Sequence, residues 1–447
     1  MKTKVIKTKN RHILTKIPAP GTNNLIKNLS KVESRSMHGQ LPIAWDKAIN
    51  YNIYDIAGNK FIDFTSTIFV TNIGHANPRL VKYLNLAISK KLIHSYAYIN
   101  SIREKYIKKL IQFAGKGFEK AFLMSAGTEA TEAALKLMRL YGQKIKKRKL
   151  GIICFEGNWH GRTLGSQMMS GNNKQKEWIG YKDRNIHHLP FPYKKKLNNT
   201  NPEDFLFNSL KKLEKKINLK KDICGVMIET FQGWGAVYYP KKYIKALAKI
   251  CKKNNIIMAF DEMQSGFART GHSFGYKHYE IIPDLICCGK GMGGGIALSG
   301  VIGKKKIMDL PDVGNMSSTN SANPIACSAG LAVIEEIQSK KLIQNTKIKG
   351  KILFKELNKI MKNLPEAIES INGEGLIAAI IFKETKKKNI RFELKKIVEK
   401  CMSEGLLVVY TGRESIKIGP PLTITIGALK EGITILQNNI IKVLNKN

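Results

Sequence analysis

Two residues stand where they can do chemistry together. Asp261 closes the apolar run at 256–260, and Lys290 follows a second apolar run, Leu285–Cys288, within Gly289-Lys290-Gly291. The chain between them has room for a loop, a helix and a return strand. Both side chains can then emerge at the C-terminal edge of one parallel sheet, where open α/β sheets bind ligands. An amine in that place can form an imine with an aldehyde and later move a proton, and flanking glycines let a bulky group approach it. A carboxylate can keep a heteroaromatic ring nitrogen protonated, which makes the ring an electron sink. Pyridoxal phosphate is the cofactor whose chemistry needs both. Taken singly, an aspartate at a strand end and a lysine in a glycine loop are ordinary; the flanking residues make the pair informative.

Two further stretches fit the same chemistry. In "FLMSAGTEATEAALKLMRLYG" an apolar run ends at Ser125-Ala126-Gly127-Thr128, after which Ala130, Ala133, Ala134, Leu137, Met138 and Tyr141 recur at helical spacing. A small turn at a helix N-terminus offers unbonded N–H groups and the positive end of the helix dipole, a natural seat for phosphate. An ordinary capped helix would read the same on this stretch alone. "FEGNWHGRT" places Trp159 and His160 just after the apolar run Gly151–Phe155. An aromatic there can lie flat on a cofactor ring, although a Trp-His pair alone equally fits a packed core.

The elements that must position these residues follow from the hydrophobic pattern. Between about residues 75 and 330, helical stretches alternate with apolar runs at 151–155, 225–229, 256–260, 284–288 and 298–302, each read as a buried parallel strand. This is an α/β domain with a mainly parallel sheet. Residues 45–63 read as short strands around the turn Ala57-Gly58-Asn59. From Leu331 the pattern predicts one long helix, then a smaller α+β module with strands near 376–382, 407–410 and 416–418. The predicted organisation is an N-terminal arm and small-domain segment over 1–74, a large domain over 75–330, and a C-terminal small domain over 331–447. Residues 1–20 are basic but lack the apolar stretch of a secretory signal, and read as a mobile arm.

A formal net charge of +41 raises the question of a polyanionic partner. The lysines are spread over the chain, with clusters at 144–149, 194–196, 211–221 and 386–388, and no aromatics are interleaved with them for base stacking. They read as solvated surface, so no nucleic-acid partner is expected. No apolar run is long enough to span a bilayer. Seven cysteines without metal-ligand spacing, two of them adjacent at Cys287 and Cys288, point to a cytoplasmic protein without disulfides or a metal.

Together these motifs resemble the class-III pyridoxal-phosphate aminotransferases, the family of 4-aminobutyrate, ornithine and acetylornithine aminotransferases. The likeness runs from about Trp45 to Thr425. "DEMQSGFARTG…PDLICCGKGMGGG" carries it, and "SAGTEATEAALKLMR", "WHGRT", "ETFQG", "STNSANP" and "KIGPPLTI" follow in the family's order. The resemblance implies a fold-type-I enzyme that moves an amino group from an amine donor to a 2-oxo acid.

It also implies roles. Lys290 holds the cofactor, Asp261 faces its ring nitrogen, and Gln264 bonds the ring hydroxyl. Met263 packs under the ring, and Trp159, followed by His160, covers it. Gly127 and Thr128 take the phosphate, and Thr319 reaches the phosphate of a partner subunit, which implies a homodimer. Arg162 matches the arginine that binds the distal carboxylate of 4-aminobutyrate-type donors. Two positions depart from the family. Trp234 stands where a glutamate usually gates an arginine, and Lys417 stands where that arginine usually is. Arg413 lies close to Lys417 in sequence and is an alternative carboxylate ligand. Lost gating favours a small acceptor such as pyruvate over 2-oxoglutarate. Amine–pyruvate aminotransferases, racemases, mutases and decarboxylases share the cofactor residues. A basic nucleic-acid binder with an inactive fold is the alternative of another class; intact Lys290, Asp261 and Gln264 weigh against it.

Overall fold

The computed structural model describes residues 5–384 and 389–444. The first four residues of the arm and the lysine cluster at 386–388 lie outside them. Two compact units share the chain: Met1–Pro78, Trp234–Ala236 and Gln344–Asn447 form one, and Arg79–Gly233 with Val237–Ile343 the other.

The second unit is built on a seven-stranded sheet: β1 (Lys120–Met124), β2 (Gly151–Phe155), β3 (Ile186–Leu189), β4 (Ile223–Glu229), β5 (Ile257–Asp261), β6 (Leu285–Cys288) and β7 (Ser299–Gly303). Their order is β1-β7-β6-β5-β4-β2-β3. Strands β2, β4, β5 and β6 are buried along their whole length, so their sequences are continuously apolar rather than alternating. Helix α1 (Gly127–Ile145) packs Ala130, Ala134, Leu137 and Met138 into one core with Ala259 and Cys287 of the sheet.

Strand β7, expected to be parallel, is antiparallel to both β6 and β1. Only a single 3-10 turn, Lys290–Met292, lies between β6 and β7. A parallel return takes a dozen or more residues and usually a helix, so this short connection forces a reversal.

The first unit carries a six-stranded sheet. Trp45–Ile49, Asn52–Asp55 and Lys60–Asp63 form its antiparallel core. The arm expected to be mobile is a hairpin, Ile6–Lys7 with His12–Ile13, joined to that sheet through His12 and Lys60. Glu431 pins it, accepting from Thr8 Oγ1 at 2.7 Å, Asn10 Nδ2 at 2.8 Å and Arg11 Nε at 2.9 Å. A four-stranded antiparallel sheet has the order Ile368–Glu374, Ile377–Phe382, Ser415–Ile418, Val409–Tyr410. Its first strand was not expected, because "IESINGE" has little apolar content. The long helix expected from Leu331 is two helices, Pro324–Ser339 and Leu342–Asn363, separated where Lys341 takes a positive φ of 49°.

One local feature of this unit is strained. Ser66, Thr67, Ile68 and Phe69 have φ of 46°, 52°, 61° and 68°. Phe69 N donates to Thr65 O at 2.9 Å and Val70 N to Ser66 O at 2.7 Å, which makes one left-handed helical turn. Such a turn costs about 1–2 kcal/mol per non-glycine residue. Asp63 offsets the cost: Oδ1 accepts from Thr65 N and Thr65 Oγ1, both at 2.7 Å, and Oδ2 bonds His75 Nε2 at 2.8 Å. Ser66 Oγ donates to Gly419 O at 2.6 Å.

Candidate active site

The sheet register puts the chemistry at one edge. Asp261 is the last residue of β5 and lies level with Glu229 on β4 and Cys287 on β6. Lys290 stands two residues beyond β6, with a φ of 40° that a lysine rarely adopts. Burial pushes its ammonium below the ordinary lysine value, and the charges of Asp261 and Glu229 partly restore it.

Asp261 is buried, and each of its oxygens accepts one hydrogen bond. Its Oδ2 accepts from His160 Nδ1 at 2.9 Å and its Oδ1 from Met263 N at 3.1 Å. A carboxylate only accepts, so the His160 proton sits on Nδ1. His160 Nε2 is buried and has no partner among the described residues. The rest of His160 is fixed: its N donates to Ser170 Oγ at 2.8 Å and its O accepts from Thr131 Oγ1 at 2.8 Å.

Met263 lies between the start of α1 and the turn after β6. A Cβ on Gly127 or on Gly289 would come within 2.8 Å of its Sδ, so glycine at both positions leaves room for this thioether. At the helix start, the carboxylate of Glu129 takes the N–H groups of Ser125 at 2.9 Å and Ala126 at 2.7 Å. The amides of Glu129 and Ala130 turn back to Ala126 O. Those of Gly127 and Thr128, in the first turn of a nineteen-residue helix, remain for an anion. The Thr128 hydroxyl is committed elsewhere. Glu132 Oε1 accepts from Thr163 Oγ1 at 2.6 Å, so Thr163 in turn accepts from Thr128 Oγ1, also at 2.6 Å. Thr128 therefore offers its backbone amide rather than its hydroxyl proton.

Trp159 is half-buried, and its N donates to Glu229 Oε2 at 2.9 Å. The exposed Arg162 guanidinium lies 4.7 Å from the Trp159 ring centroid. Gln264 lies close to Gly233 and Glu229: a Cβ on Gly233 would stand 2.3 Å from Gln264 Nε2 and 3.0 Å from Glu229 Oε1. Thr319 is in a loop whose backbone is held by His94, with Nε2 donating to Thr319 O at 2.8 Å.

Chain 34–440 matches the family model described as aminotransferase class-III. The chain belongs to the class-III aminotransferases. These are pyridoxal-phosphate-dependent transaminases. Among curated relatives of this aminotransferase, the acetylornithine aminotransferase of Clostridium acetobutylicum is 30% identical over 418 residues, covering 92% of this chain and 100% of the relative. The 4-aminobutyrate aminotransferase of Mycobacterium leprae is 31% identical over 441 residues, covering 95% and 97%. Among solved structures, the acetylornithine aminotransferase of Elizabethkingia anophelis superposes with a TM-score of 0.79 at 27% identity, covering 95% and 100%.

The residues at the sheet edge suit the family's cofactor on their own account: a buried carboxylate, a half-buried amine, flanking glycines and two amides at a helix start. Trp234 and Lys417 belong to the aminotransferase's other unit. Arg413 Cζ lies 3.7 Å from the Trp234 ring centroid, and Lys417 Nζ lies 4.3 Å from that of Phe69. Arg413 also pairs with Glu414 at 3.1 Å.

Sequence reasoning missed Glu229, which holds Trp159 and charges the Lys290 environment. It ends an apolar run just as Asp261 does, and the same strand-end argument would have found it. Glu262 was also missed. It is buried and accepts from Thr230 Oγ1 at 2.7 Å, Ser265 Oγ at 2.5 Å, Gly275 N at 2.7 Å and Tyr276 N at 2.5 Å. Burial raises its carboxyl, and these four donors oppose that rise.

Proposed function

We propose that this aminotransferase takes its amino group from an ω-amino acid, a terminal amine with a carboxylate at the far end, and passes it to a small 2-oxo acid. Arg162 carries the reading. It is exposed, it is braced on the Trp159 ring, and among the described residues no acidic side chain pairs with it. It is thus available to a donor's distal carboxylate. The names of the relatives, acetylornithine and 4-aminobutyrate aminotransferase, point to donors that both have this pattern.

Pyridoxal phosphate, when bound, supplies a ring that withdraws electrons from the substrate carbon. Lys290 would hold the cofactor and then move the proton at that carbon, a task its lowered pKa favours. Asp261, with His160 behind it, would keep the ring nitrogen protonated. Gly127 and Thr128 amides would receive the phosphate, Trp159 and Met263 would enclose the ring, and Gln264 would bond its hydroxyl. Thr319 would reach the phosphate of a second copy in a homodimer. All seven cysteines are buried and unpaired, which suits the reducing cytoplasm.

On the acceptor side, the cation over Trp234 is Arg413, while Lys417 is buried against Phe69. A guanidinium on an indole is a rigid bidentate fork, and it can replace the gated arginine that the family usually has. Its pairing with Glu414 limits its strength toward a dicarboxylate, so pyruvate is favoured over 2-oxoglutarate. Steady-state kinetics over a panel of ω-amino acids with both acceptors tests this. Pyruvate is expected to show the higher kcat/KM, and Arg162→Ala to raise the donor KM by about tenfold or more, as loss of a charged hydrogen bond implies. A clear preference for 2-oxoglutarate overturns the acceptor assignment; an unchanged donor KM overturns that of Arg162.

A further inference from the structure

Helix α2 (Leu164–Met169) follows directly on the Trp159–Thr163 turn, and its C-terminal end is clamped from outside. Lys176 Nζ donates to Ser170 O at 2.8 Å and lies 3.4 Å from Met168 O. His188 Nε2, from β3, donates to Ser170 O at 3.0 Å and Met169 O at 3.1 Å. Three successive carbonyls that the helix cannot satisfy internally thus meet two side-chain donors. Because His188 uses Nε2 as a donor, that nitrogen carries its proton. Burial and the Lys176 charge 3.4 Å away push His188 down to about 4, so it stays neutral and Lys176 is the one cation in this clamp. Burial also lowers the Lys176 ammonium, with Cys154 opposing and Lys182 adding to the effect.

What the clamp holds is Ser170. This buried residue donates its hydroxyl to Ser166 O at 2.9 Å, so the same oxygen accepts from His160 N at 2.8 Å through a lone pair. His160 in turn fixes Asp261 Oδ2 at 2.9 Å. Lys176 is therefore linked to the carboxylate at the sheet edge by an unbroken series of short contacts: the Ser170 carbonyl, the Ser170 hydroxyl, the His160 backbone and the His160 ring.

We propose that Lys176 is a positioning residue for the cofactor centre, acting through Ser170 and His160 on Asp261. The proposal rests on the reading that Asp261 serves the cofactor ring nitrogen. Lys176→Met keeps the aliphatic stem and removes the charge; Lys176→Arg restores a cation. For each variant three quantities are measured at a temperature where circular dichroism shows it folded: the affinity of the apoprotein for pyridoxal phosphate, the pH at which the bound cofactor changes its absorbance, and kcat with KM.

Lys176→Met is expected to weaken cofactor binding and lower kcat by roughly tenfold, the size of effect that outer partners have on a bound group. The absorbance transition moves in pH, KM stays within about twofold, and Lys176→Arg recovers most of the loss. A Lys176→Met protein that melts lower but binds and titrates like the wild type overturns the proposal, since the role is then structural alone. Should Lys176→Met not fold, Ser170→Ala breaks the same series one step nearer the centre. It must then show the same spectral shift, and a wild-type spectrum counts against the proposal. Asp261→Asn separates the two claims. If it leaves the spectrum and kcat unchanged, the ring-nitrogen reading fails; if it alters them while Lys176→Met does not, only the Lys176 proposal fails.

Discussion

Lys290 is the residue on which the proposed chemistry turns. Its backbone lies at a φ of 40°, its ammonium is depressed by burial, and glycines flank it on both sides. Borohydride reduces a lysine–aldehyde link to a stable bond, so reduction of the holoenzyme is expected to leave the cofactor on the peptide containing Lys290. Lys290→Ala is expected to abolish turnover and labelling together. A label recovered on any other lysine would falsify the assignment. Asp261 and Lys290 were legible because one ends an apolar run and the other closely follows one, and an apolar run that gives way to polar residues advertises a strand's edge. The partner of Asp261 was less legible: nothing in "WHGRT" says that His160 Nδ1 points across the sheet to β5. Glu262 was hidden for a different reason. Its four donors come from three separate places, Thr230 just past β4, Ser265, and the 3-10 turn Gly275–Tyr279, and no sequence period links them.

Strands and helices were legible where burial imposed a pattern. The fully buried strands β2, β4, β5 and β6 read as apolar runs, and their bounds in the structure fall within two residues of those expected. The direction of β7, the break at Lys341 and the docking of the arm were not legible. Each depends on a connection or a distant partner: the short return after β6, a single positive φ, and Glu431 far along the chain. The left-handed turn at Ser66–Phe69 is the extreme case, because Thr67 and Ile68 are β-branched and poorly suited to it. Ile68 is 46% exposed, so its side chain keeps only part of its burial to set against the strain. Replacing it with glycine removes about 1–2 kcal/mol of left-handed cost. The freer unfolded chain gives back about 0.4–1 kcal/mol. Ile68→Gly is therefore expected to raise stability by about 0.5–1 kcal/mol, read as a higher urea midpoint with an unchanged slope. A lower midpoint would show that the side chain, and not the strain, dominates at this site.

The molecule as a whole carries a formal charge of +41, so two copies repel each other and an apolar contact must overcome that repulsion. The larger unit has such a surface. Ile99 is 92% exposed, Tyr98 is 80% exposed and Val313 is fully exposed. Tyr96 and His94, on the same stretch as Ile99, bond to Ser317 and Thr319 on the same loop as Val313. An isolated exposed apolar side chain is ordinary, but a group of them beside the residue proposed to serve a second copy is not. Burying one isoleucine is worth about 1.5–3 kcal/mol, and burying an unpaired carboxylate in its place costs more. Ile99→Asp is therefore expected to weaken self-association by at least about tenfold, and to lower cofactor affinity with it. Charge adds a second signature. Salt screens repulsion between like-charged surfaces over about 8–10 Å, so raising the ionic strength is expected to tighten the proposed self-association of the wild type, whereas it would loosen any complex with a polyanion. Sedimentation velocity at low and high salt reads both effects. An active wild-type monomer, or a dimer that Ile99→Asp leaves intact, would remove this surface from the assembly and Thr319 from the second copy's site.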